Sequence, residues 1–383
     1  MAATGVIGLD IGASSIRAAE VSLSKEGELT LERFGQLGLP LGAVRAGIAM
    51  EPAAVTRAVK ELWKSDGFKG RRVNLSVNSG QVAVRSIALP ALPTSEMRKA
   101  LPFLVRDVVP IPIERAVLDF IPIGALDISG KQPGLLVALP SEGVASIVRA
   151  VEKAGLNVVA VDLGPFAALR SLIQGSSGHG VFVVIDVGAT LTTVMVQSDG
   201  IPLMVRAISR GGDEITDTLS ERLGISHAEA ETQKRDFGFD ETFGPDVADV
   251  VSAAVGPLLS EIRSSLAYFA SSNQDLKIDS IKLTGGGAQL SGLRQSLARQ
   301  QNVPVEFAEP LDHLKLASSV GDPALFSAVS ASAIGLTLGG SNDQSAPTKF
   351  SKRFAAGTTK QLDVGSGKSS AGVDSAAESR AEN

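Results

Sequence analysis

The sequence predicts an α/β fold, and three observations carry that expectation. Apolar strands and amphipathic helices alternate from Gly5 to Gly340, and a glycine-bearing hairpin pattern occurs twice. The composition, 44% hydrophobic and 20% charged, is that of a globular chain. At 383 residues there is length for about two or three domain-sized units, each able to bury a core.

Strands are expected at Val6–Ile11, Val73–Val77, Gln81–Ala88, Leu135–Leu139, Val158–Val161, Val181–Val187, Thr192–Gln197 and Ser280–Leu283, where β-branched and apolar residues run between turn residues. Helices are expected at Pro52–Lys64, Thr94–Val108, Ser141–Ala154, Asp213–Leu223, His227–Phe237, Asp246–Ser271, Gly292–Gln300 and Ala324–Leu338. The longest, Asp246–Ser271, carries Val247, Val250, Val251, Ala254, Leu258, Leu259 and Ile262 at helical spacing. Met97, Leu101, Leu104, Val105 and Val108 make a similar core face on Thr94–Val108, with Pro102 inside it. Lys69, Arg71 and Arg72 read as a solvated turn.

Composition excludes several function classes. Lys and Arg number 36 against 41 Asp and Glu, a net charge of −5, so no broad field draws the chain to nucleic acid or anionic lipid. The absence of cysteine excludes disulfides, thiolate catalysis and Cys-built zinc or iron–sulfur sites, and fits a reducing compartment. His179, His227 and His313 lie too far apart to suggest a shared metal. Fourteen Phe, one Trp and one Tyr are too few for a base-stacking platform. Met1–Thr4 carry no basic residue and Asp10 soon breaks the apolar run, so no signal peptide is expected. The longest uncharged stretch, Pro323–Asn342, is full of Ser, Thr, Gly and Ala. It predicts a buried small-residue helix, since a membrane span needs about 20 predominantly apolar residues.

Beyond the body, Ser341–Asn383 is rich in Ser, Ala and Gly with sparse apolar residues, and is expected to be disordered. Its Gly365-Ser366-Gly367-Lys368-Ser369 looks like the end of a P-loop. The motif's first glycine would fall at Leu362, however, and no strand or helix flanks it.

The repeated pattern carries the chemistry. Val6-Ile7-Gly8-Leu9-Asp10-Ile11-Gly12-Ala13-Ser14-Ser15 aligns without a gap on Phe182-Val183-Val184-Ile185-Asp186-Val187-Gly188-Ala189-Thr190-Leu191. Each copy is a strand, an acid at the mouth of a turn, Gly-Ala, a hydroxyl residue or its neighbour, then a second strand. Gly12 and Gly188 let the backbone turn and approach a ligand with no Cβ in the way. Successive N–H groups from Ala13 to Ser15 and from Ala189 to Leu191 can converge on an anionic oxygen, with Ser14 and Thr190 adding hydroxyl donors. Asp10 and Asp186 would repel phosphate unless a cation such as Mg²⁺ stood between them, which is how Mg²⁺ is usually held. An Asp-x-Gly-Ala turn with no ligand is the plain alternative for either copy alone.

Three weaker signals point the same way. Ile281-Lys282-Leu283-Thr284-Gly285-Gly286-Gly287-Ala288 is a strand entering a triple-glycine turn that offers flat backbone to a planar base; alone it also reads as a flexible loop. Gly211-Gly212-Asp213 precedes a helix whose N-terminus could face phosphates. Glu231 and Lys234 share a helix face, which in isolation reads as a solvated ion pair.

On these residues the chain resembles the actin/DnaK/sugar-kinase superfamily and, within it, the PilM family of type IV pilus assembly ATPases, which is related to the cell-division protein FtsA. The resemblance rests on Gly8–Val21, the repeat at Asp186 and the turn at Gly285. It extends through Arg85–Pro90, Val109–Pro112, Val117–Phe120, Gly155-Leu156 and Ala333–Leu336. It implies an actin-like two-lobed ATPase fold of duplicated ribonuclease H-like domains with an inserted subdomain. The first lobe would comprise 1–81, 162–180 and 325–340, and the insert 82–161. The second lobe would be 181–324 with a helical subdomain at 211–275, and 341–383 the disordered tail. ATP and Mg²⁺ would occupy the cleft. Asp10 and Asp186 would hold magnesium through water and are the candidate catalytic acids. Gly12, Ala13, Ser14, Ser15, Gly188, Ala189 and Thr190 would hold phosphates, and Arg17 would also belong to the cofactor-binding residues. Gly211 and Gly212 would lie beside phosphates and ribose, Glu231 and Lys234 on ribose, and Gly285, Gly286, Gly287 and Ala288 on adenine and ribose.

The same resemblance implies a cytoplasmic scaffold that binds the N-terminal cytoplasmic peptide of a PilN-like membrane protein and meets the membrane only through partners. Pilus motor ATPases, the platform protein and self-association are further partner expectations. Two departures bear on turnover. Arg17 stands where the family often has Lys, keeping the charge but changing donor geometry, and Leu191 stands where polar residues are frequent. Nucleotide binding is therefore expected, with at most slow hydrolysis. Alternatives are an FtsA-like filament protein, against which Thr358–Asn383 shows no basic amphipathic helix, and a small-molecule kinase, which needs a substrate base beyond the two hairpin acids.

Overall fold

The computed structural model describes residues 5–174, 178–239 and 245–339. The expected disordered tail and its Gly365–Ser369 motif lie outside them. The chain opens with β1 (Ile7–Ile11), β2 (Ser15–Leu23) and β3 (Leu29–Gly38), then a small ribbon of β4 (Val44–Arg45) and β5 (Ile48–Ala49). Next come α1 (Pro52–Ser65), β6 (Arg72–Val77), β7 (Ala83–Pro90), α2 (Thr94–Leu104), β8 (Ala116–Pro122), β9 (Lys131–Pro140), α3 (Ser141–Lys153), β10 (Asn157–Leu163) and α4 (Gly164–Leu172). The second half runs β11 (Val181–Val187), β12 (Thr192–Ser198), β13 (Ile201–Ile208), α5 (Gly212–Leu223), α6 (His227–Phe237), α7 (Pro245–Ser272), β14 (Ser280–Thr284), α8 (Leu293–Gln301), β15 (Val305–Phe307), β16 (Lys315–Leu316) and α9 (Ser327–Leu338).

The duplication seen in the hairpins extends to whole sheets. The first sheet has the order β10-β6-β1-β2-β3-β16 and the second β13-β12-β11-β14-β15. In both, the hairpin strands are antiparallel, with Asp10 opposite Arg17 and Asp186 opposite Thr193. In both, the first hairpin strand also pairs in parallel on its other side, β1 with β6 and β11 with β14. The next strand outward, β10 or β15, is parallel again. The two sheets thus share one strand order and one set of directions.

Helices cover the sheets and set the halves against each other. On α7, Val247, Val250, Val251, Leu258, Leu259 and Ile262 are buried as the spacing predicts, joined by Leu266 and Phe269. Each such side chain contributes on the order of 1.5–3 kcal/mol relative to exposure. Between the sheets run α4 and α9. α4 is wholly buried and α9 is buried over Ser330–Leu336, so small residues set how closely they approach. A Cβ on Gly335 would run into the Ala167 carbonyl, and one on Gly8 into the Ala333 carbonyl. Polar links lock the junction. Asn74 Nδ2 donates to the Leu336 carbonyl (2.7 Å) and Arg170 Nε to the Gly335 carbonyl (3.0 Å), while the Arg170 guanidinium pairs with buried Asp162.

A separate sheet, β7-β9-β8, lies in the first half of the chain. One face packs on α2 through Leu89, Met97, Leu101, Val105, Phe120 and Leu136. The other joins the main core through Ile121, Leu135, Val137 and Leu139. Asn157–Leu163, most of which the sequence reading put inside the 82–161 insert, pairs with β6 in the first sheet, where its apolar run, buried from Ala160 onward, fills the edge beside Val73 and Leu75. The helix expected over Thr94–Val108 ends at Leu104, ahead of the β-branched Val105, Val108 and Val109 and of Pro110. Ala324–Leu338 is divided into a 3₁₀ turn at Pro323–Leu325, capped by Asp322 on the Ala324 N–H, and α9.

Several elements escaped the pattern. In α4 every residue is buried, so no polar stripe marks it as a helix. In β3 charged and polar residues break the alternation on which a strand is read, and β13 is a near-continuous apolar run holding Pro202, which gives no alternation at all. Across the described residues no helix is long and apolar enough to cross a membrane.

Candidate functional site

The two hairpins open on one cleft between the sheets, a space of about 1200 Å³. Their turns close alike: Gly12 N–H donates to the Ser15 carbonyl (3.0 Å) and Gly188 N–H to the Leu191 carbonyl (2.9 Å). Asp10, Gly12, Ala13, Ser14, Ser15 and Arg17 line the cleft from one side, and Asp186, Gly188, Ala189 and Thr190 from the other.

The surroundings of the two acids differ. Asp10 is buried and well supplied with donors. Its Oδ1 accepts from Ser76 Oγ and Asn78 Nδ2 (3.1 Å), and its Oδ2 from the Arg17 guanidinium (3.2 Å). Asp186, half-buried at the cleft wall, accepts no side-chain hydrogen bond among the described residues. Burial first, and then the Asp10 carboxylate, push its pKa up to about 6, with Arg17 acting in the opposite direction. A carboxyl held in that way favours an added cation.

Glycines make the rest of the wall by close approach. Gly285 has φ of +91°, and a Cβ there would strike Asp186 Oδ1 and the Val187 carbonyl. At Gly287 a Cβ would lie 2.6 Å from Val187 Cγ1. Gly285 N–H and Thr284 Oγ1 both donate to the Ala328 carbonyl (2.7 and 3.0 Å), which ties the turn to α9. Gly285, Gly286 and Gly287 line the cleft, whereas Ala288 is buried in the second core behind them. Gly212 lines it too, with Gly212 N–H on the Gly188 carbonyl (2.9 Å) and Asp213 N–H on the Ala189 carbonyl (2.8 Å). Gly211 sits behind this seam, where a Cβ would lie 2.5 Å from the Ala189 carbonyl oxygen. The α5 N-terminus is thereby bolted to the second hairpin.

Glu231 and Lys234 are not a solvated pair. Lys234 is only 8% exposed, and its Nζ donates to Glu231 Oε2 (2.5 Å), Thr216 Oγ1 (2.8 Å) and the Gly212 carbonyl (3.0 Å). Burial raises the Glu231 pKa, but the hydrogen bonds from Lys234 and Thr216 outweigh it and hold the carboxyl below its usual range. Burial raises that of neighbouring Asp213, partly countered by Lys234.

The donor set fits an anionic ligand with a cation. Turn N–H groups, two acids across a gap, glycine walls and a cationic Arg17 whose buried Nε has no partner among the described residues are all on one surface. Among the described residues no three His, Cys, Asp or Glu side chains are grouped to hold a metal by themselves, so the ligand's own oxygens would complete the shell. Sequence reasoning missed Ser76, Asn78, Thr216 and Thr284. A signal existed for the first two: Asn74 and Ser76 in β6, and Asn78 just past its end, alternate with apolar residues, a polar face where a buried strand should be apolar. His227, set aside in the sequence, also lines the cleft, its Nε2 3.4 Å from Asp217 Oδ1.

Cell division protein FtsA of Bacillus subtilis (strain 168) is 24% identical over 274 residues, 64% of this chain and 61% of that protein. FtsA of Enterococcus hirae is 26% identical over 342 residues, 76% of each chain. The chain spans less than two thirds of the Bacillus subtilis and Enterococcus faecalis FtsA proteins, 61% and 59% of their lengths. Among solved structures, a PilM–PilN type IV pilus biogenesis complex matches with a TM-score of 0.76 and 29% identity, covering 87% of this chain and 98% of that one. The ethanolamine utilization protein EutJ from Carboxydothermus hydrogenoformans shares the fold at a TM-score of 0.50 and 16% identity, over 88% of this chain and 90% of that one. The fold is the actin-like ATPase fold, in a mixed α/β chain. The family model for type IV pilus assembly protein PilM matches residues 8–340, both sheets from Gly8 onward and the cleft between them, and the chain belongs to that family.

Proposed function

We propose that this pilus assembly protein is an ATP-binding scaffold whose cleft takes nucleotide with Mg²⁺ and which binds the N-terminal tail of a PilN-like membrane protein. The observation that carries the nucleotide reading is the pair of hairpins facing one cleft, Asp10 satisfied and Asp186 not. Ala13–Ser15 and Ala189–Thr190 would bind phosphates, Glu231 and Lys234 the ribose, and Gly285–Gly287 the base. Gly211 and Ala288 act from behind, by allowing close packing. Asp10 and Asp186 would hold the cation through its waters. Bound there, Mg²⁺ would neutralise phosphate charge.

Two features favour binding over turnover. The strand positions opposite the acids carry Arg17 and Thr193 rather than a carboxylate base, and Glu231 is engaged by Lys234. Hydrolysis is at most slow in this reading. The likeness to a PilM–PilN complex supports the peptide partner and, through it, a cytoplasmic position against the membrane. The division proposed is a first lobe around the first sheet, a second lobe around the second sheet with α5 and α6 as its helical part, and an insert confined to 83–140.

Thermal shift tests the ligand. ATP with Mg²⁺ at 100 times its Kd should add about 2.7 kcal/mol, or roughly 5–10 °C. Asp10→Ala should remove most of that gain, and an unchanged shift in the variant would sink the metal role. Pull-down with a PilN-like cytoplasmic peptide tests the partner, and absence of binding with and without nucleotide refutes it.

A further inference from the structure

Arg17, expected among the cofactor-binding residues, is already engaged by an acid of the same cleft. It stands on β2 directly between Asp10 on β1 and Gln36 on β3, and all three line the cleft. Its side chain is 16% exposed and its guanidinium lies 3.2 Å from Asp10 Oδ2. Because Oδ1 already accepts from Ser76 and Asn78, the Arg17 contact occupies the remaining carboxylate oxygen. Arg17 Nε meanwhile is buried and has no hydrogen-bond partner among the described residues, so this resting arrangement leaves part of the guanidinium unsatisfied. The mirrored position in the second hairpin is Thr193, and Asp186 has no such cation beside it in the strand pair.

We propose that Arg17 is an internal counter-ion that holds Asp10 in the empty cleft and is drawn off by a phosphate chain, so that a divalent cation enters only together with nucleotide. The inference rests on the nucleotide reading for its release step alone; the resting pair stands in the structure without it. A hydrated divalent cation needs a carboxylate oxygen to accept from its waters; with Arg17 in place Oδ1 is filled, and the lone pair left on Oδ2 lies beside a guanidinium whose charge opposes the ion. A phosphate group offers the guanidinium two acceptors in its own plane, including one for Nε, and so competes for it with better geometry than one Asp10 oxygen. Release of Asp10 then completes the cation site. Nucleotide and cation become positively coupled through a single side chain.

The test uses the full chain and two probes. Mn²⁺ binding without nucleotide is read from the loss of the free-ion electron paramagnetic resonance signal, and ATP binding by calorimetry with Mg²⁺ or with chelator. Wild type should bind Mn²⁺ in the cleft only when ATP is present. Arg17→Ala should bind Mn²⁺ alone, in a manner abolished by the further change Asp10→Ala, and should lose ATP affinity by about tenfold or more. Arg17→Lys, which keeps the charge and guards against a folding defect in the alanine variant, should fall between them in nucleotide-free Mn²⁺ affinity. Equal nucleotide-free Mn²⁺ binding by wild type and both variants overturns the counter-ion role. Mn²⁺ gained by the variants while no form binds ATP supports the resting pair, and overturns the release step together with the nucleotide reading.

Discussion

Replacing Asp186 by Asn should stabilise the ligand-free protein at pH 8 while abolishing its stabilisation by ATP and Mg²⁺. Burial and the facing Asp10 raise the Asp186 pKa from 3.8 to about 6. That is about two units, or ~3 kcal/mol at 1.36 kcal/mol per unit, as the cost of keeping the carboxylate ionised in the folded state. The side chain opens on a solvated cleft, and screening there reduces the figure to about 1–2 kcal/mol. The sign follows from proton linkage. Below about pH 4 the acid is neutral folded and unfolded, and the cost vanishes. Between about pH 4 and 6 the folded state holds the proton more tightly, so stability falls as pH rises, and above about pH 6 the full cost applies. Asn removes the charge at nearly constant shape. Thermal midpoints measured from pH 4 to 8 should coincide at the acid end and diverge to about 2–8 °C in favour of the variant at pH 8. With saturating ATP and Mg²⁺ the order should invert, because wild type alone gains. A variant less stable than wild type at pH 8, or a difference independent of pH, refutes the electrostatic reasoning; a retained ligand shift refutes the cation role.

Gly285→Ala places a Cβ against Asp186 at φ +91°, and should lower the thermal midpoint and eliminate the ATP-dependent shift together. Lys234→Met leaves half-buried Glu231 and Thr216 without their shared donor; chemical denaturation should show a loss of about 2 kcal/mol or more, with weakened ATP affinity in calorimetry. Gly335→Ala drives a methyl into the Ala167 carbonyl where α4 crosses α9, and should cost at least about 3 kcal/mol or prevent soluble expression, without touching the cleft lining. ATP affinity with Mg²⁺ should decline as pH falls through about 6, since Asp186 takes up its proton there; calorimetry at pH 5 and pH 8 checks this.

Much of the cleft was legible because its chemistry is local. A turn that lets backbone N–H groups converge needs glycine at fixed spacing, and an acid at its mouth is adjacent in sequence, so Asp10–Ser15 and Asp186–Thr190 announce themselves. Ser76 and Asn78 did not, because they reach Asp10 through the parallel pairing of β1 with β6, across more than sixty residues of chain. The Glu231–Lys234 pair looked solvated because two charges three apart usually are; only the docking of α6 against α5 buries Lys234 under Thr216 and the Gly212 carbonyl. The duplication of the full sheet was hidden for a related reason. Strand order and direction are shared by β10-β6-β1-β2-β3 and β15-β14-β11-β12-β13, while the side chains filling the two cores are free to differ.

By itself the sequence determined the α/β class, the paired acidic turns, the glycine wall and the amphipathic face of α7, all of which depend on spacing within one segment. The tertiary structure decided that Gly8 and Gly335 are needed where α9 passes β1 and α4, that Arg17 is held by Asp10, and that burial and the facing Asp10 raise the pKa of Asp186. Those outcomes depend on which distant surfaces meet. Close approach and charge pairing are properties of the assembled space, and no local pattern encodes them.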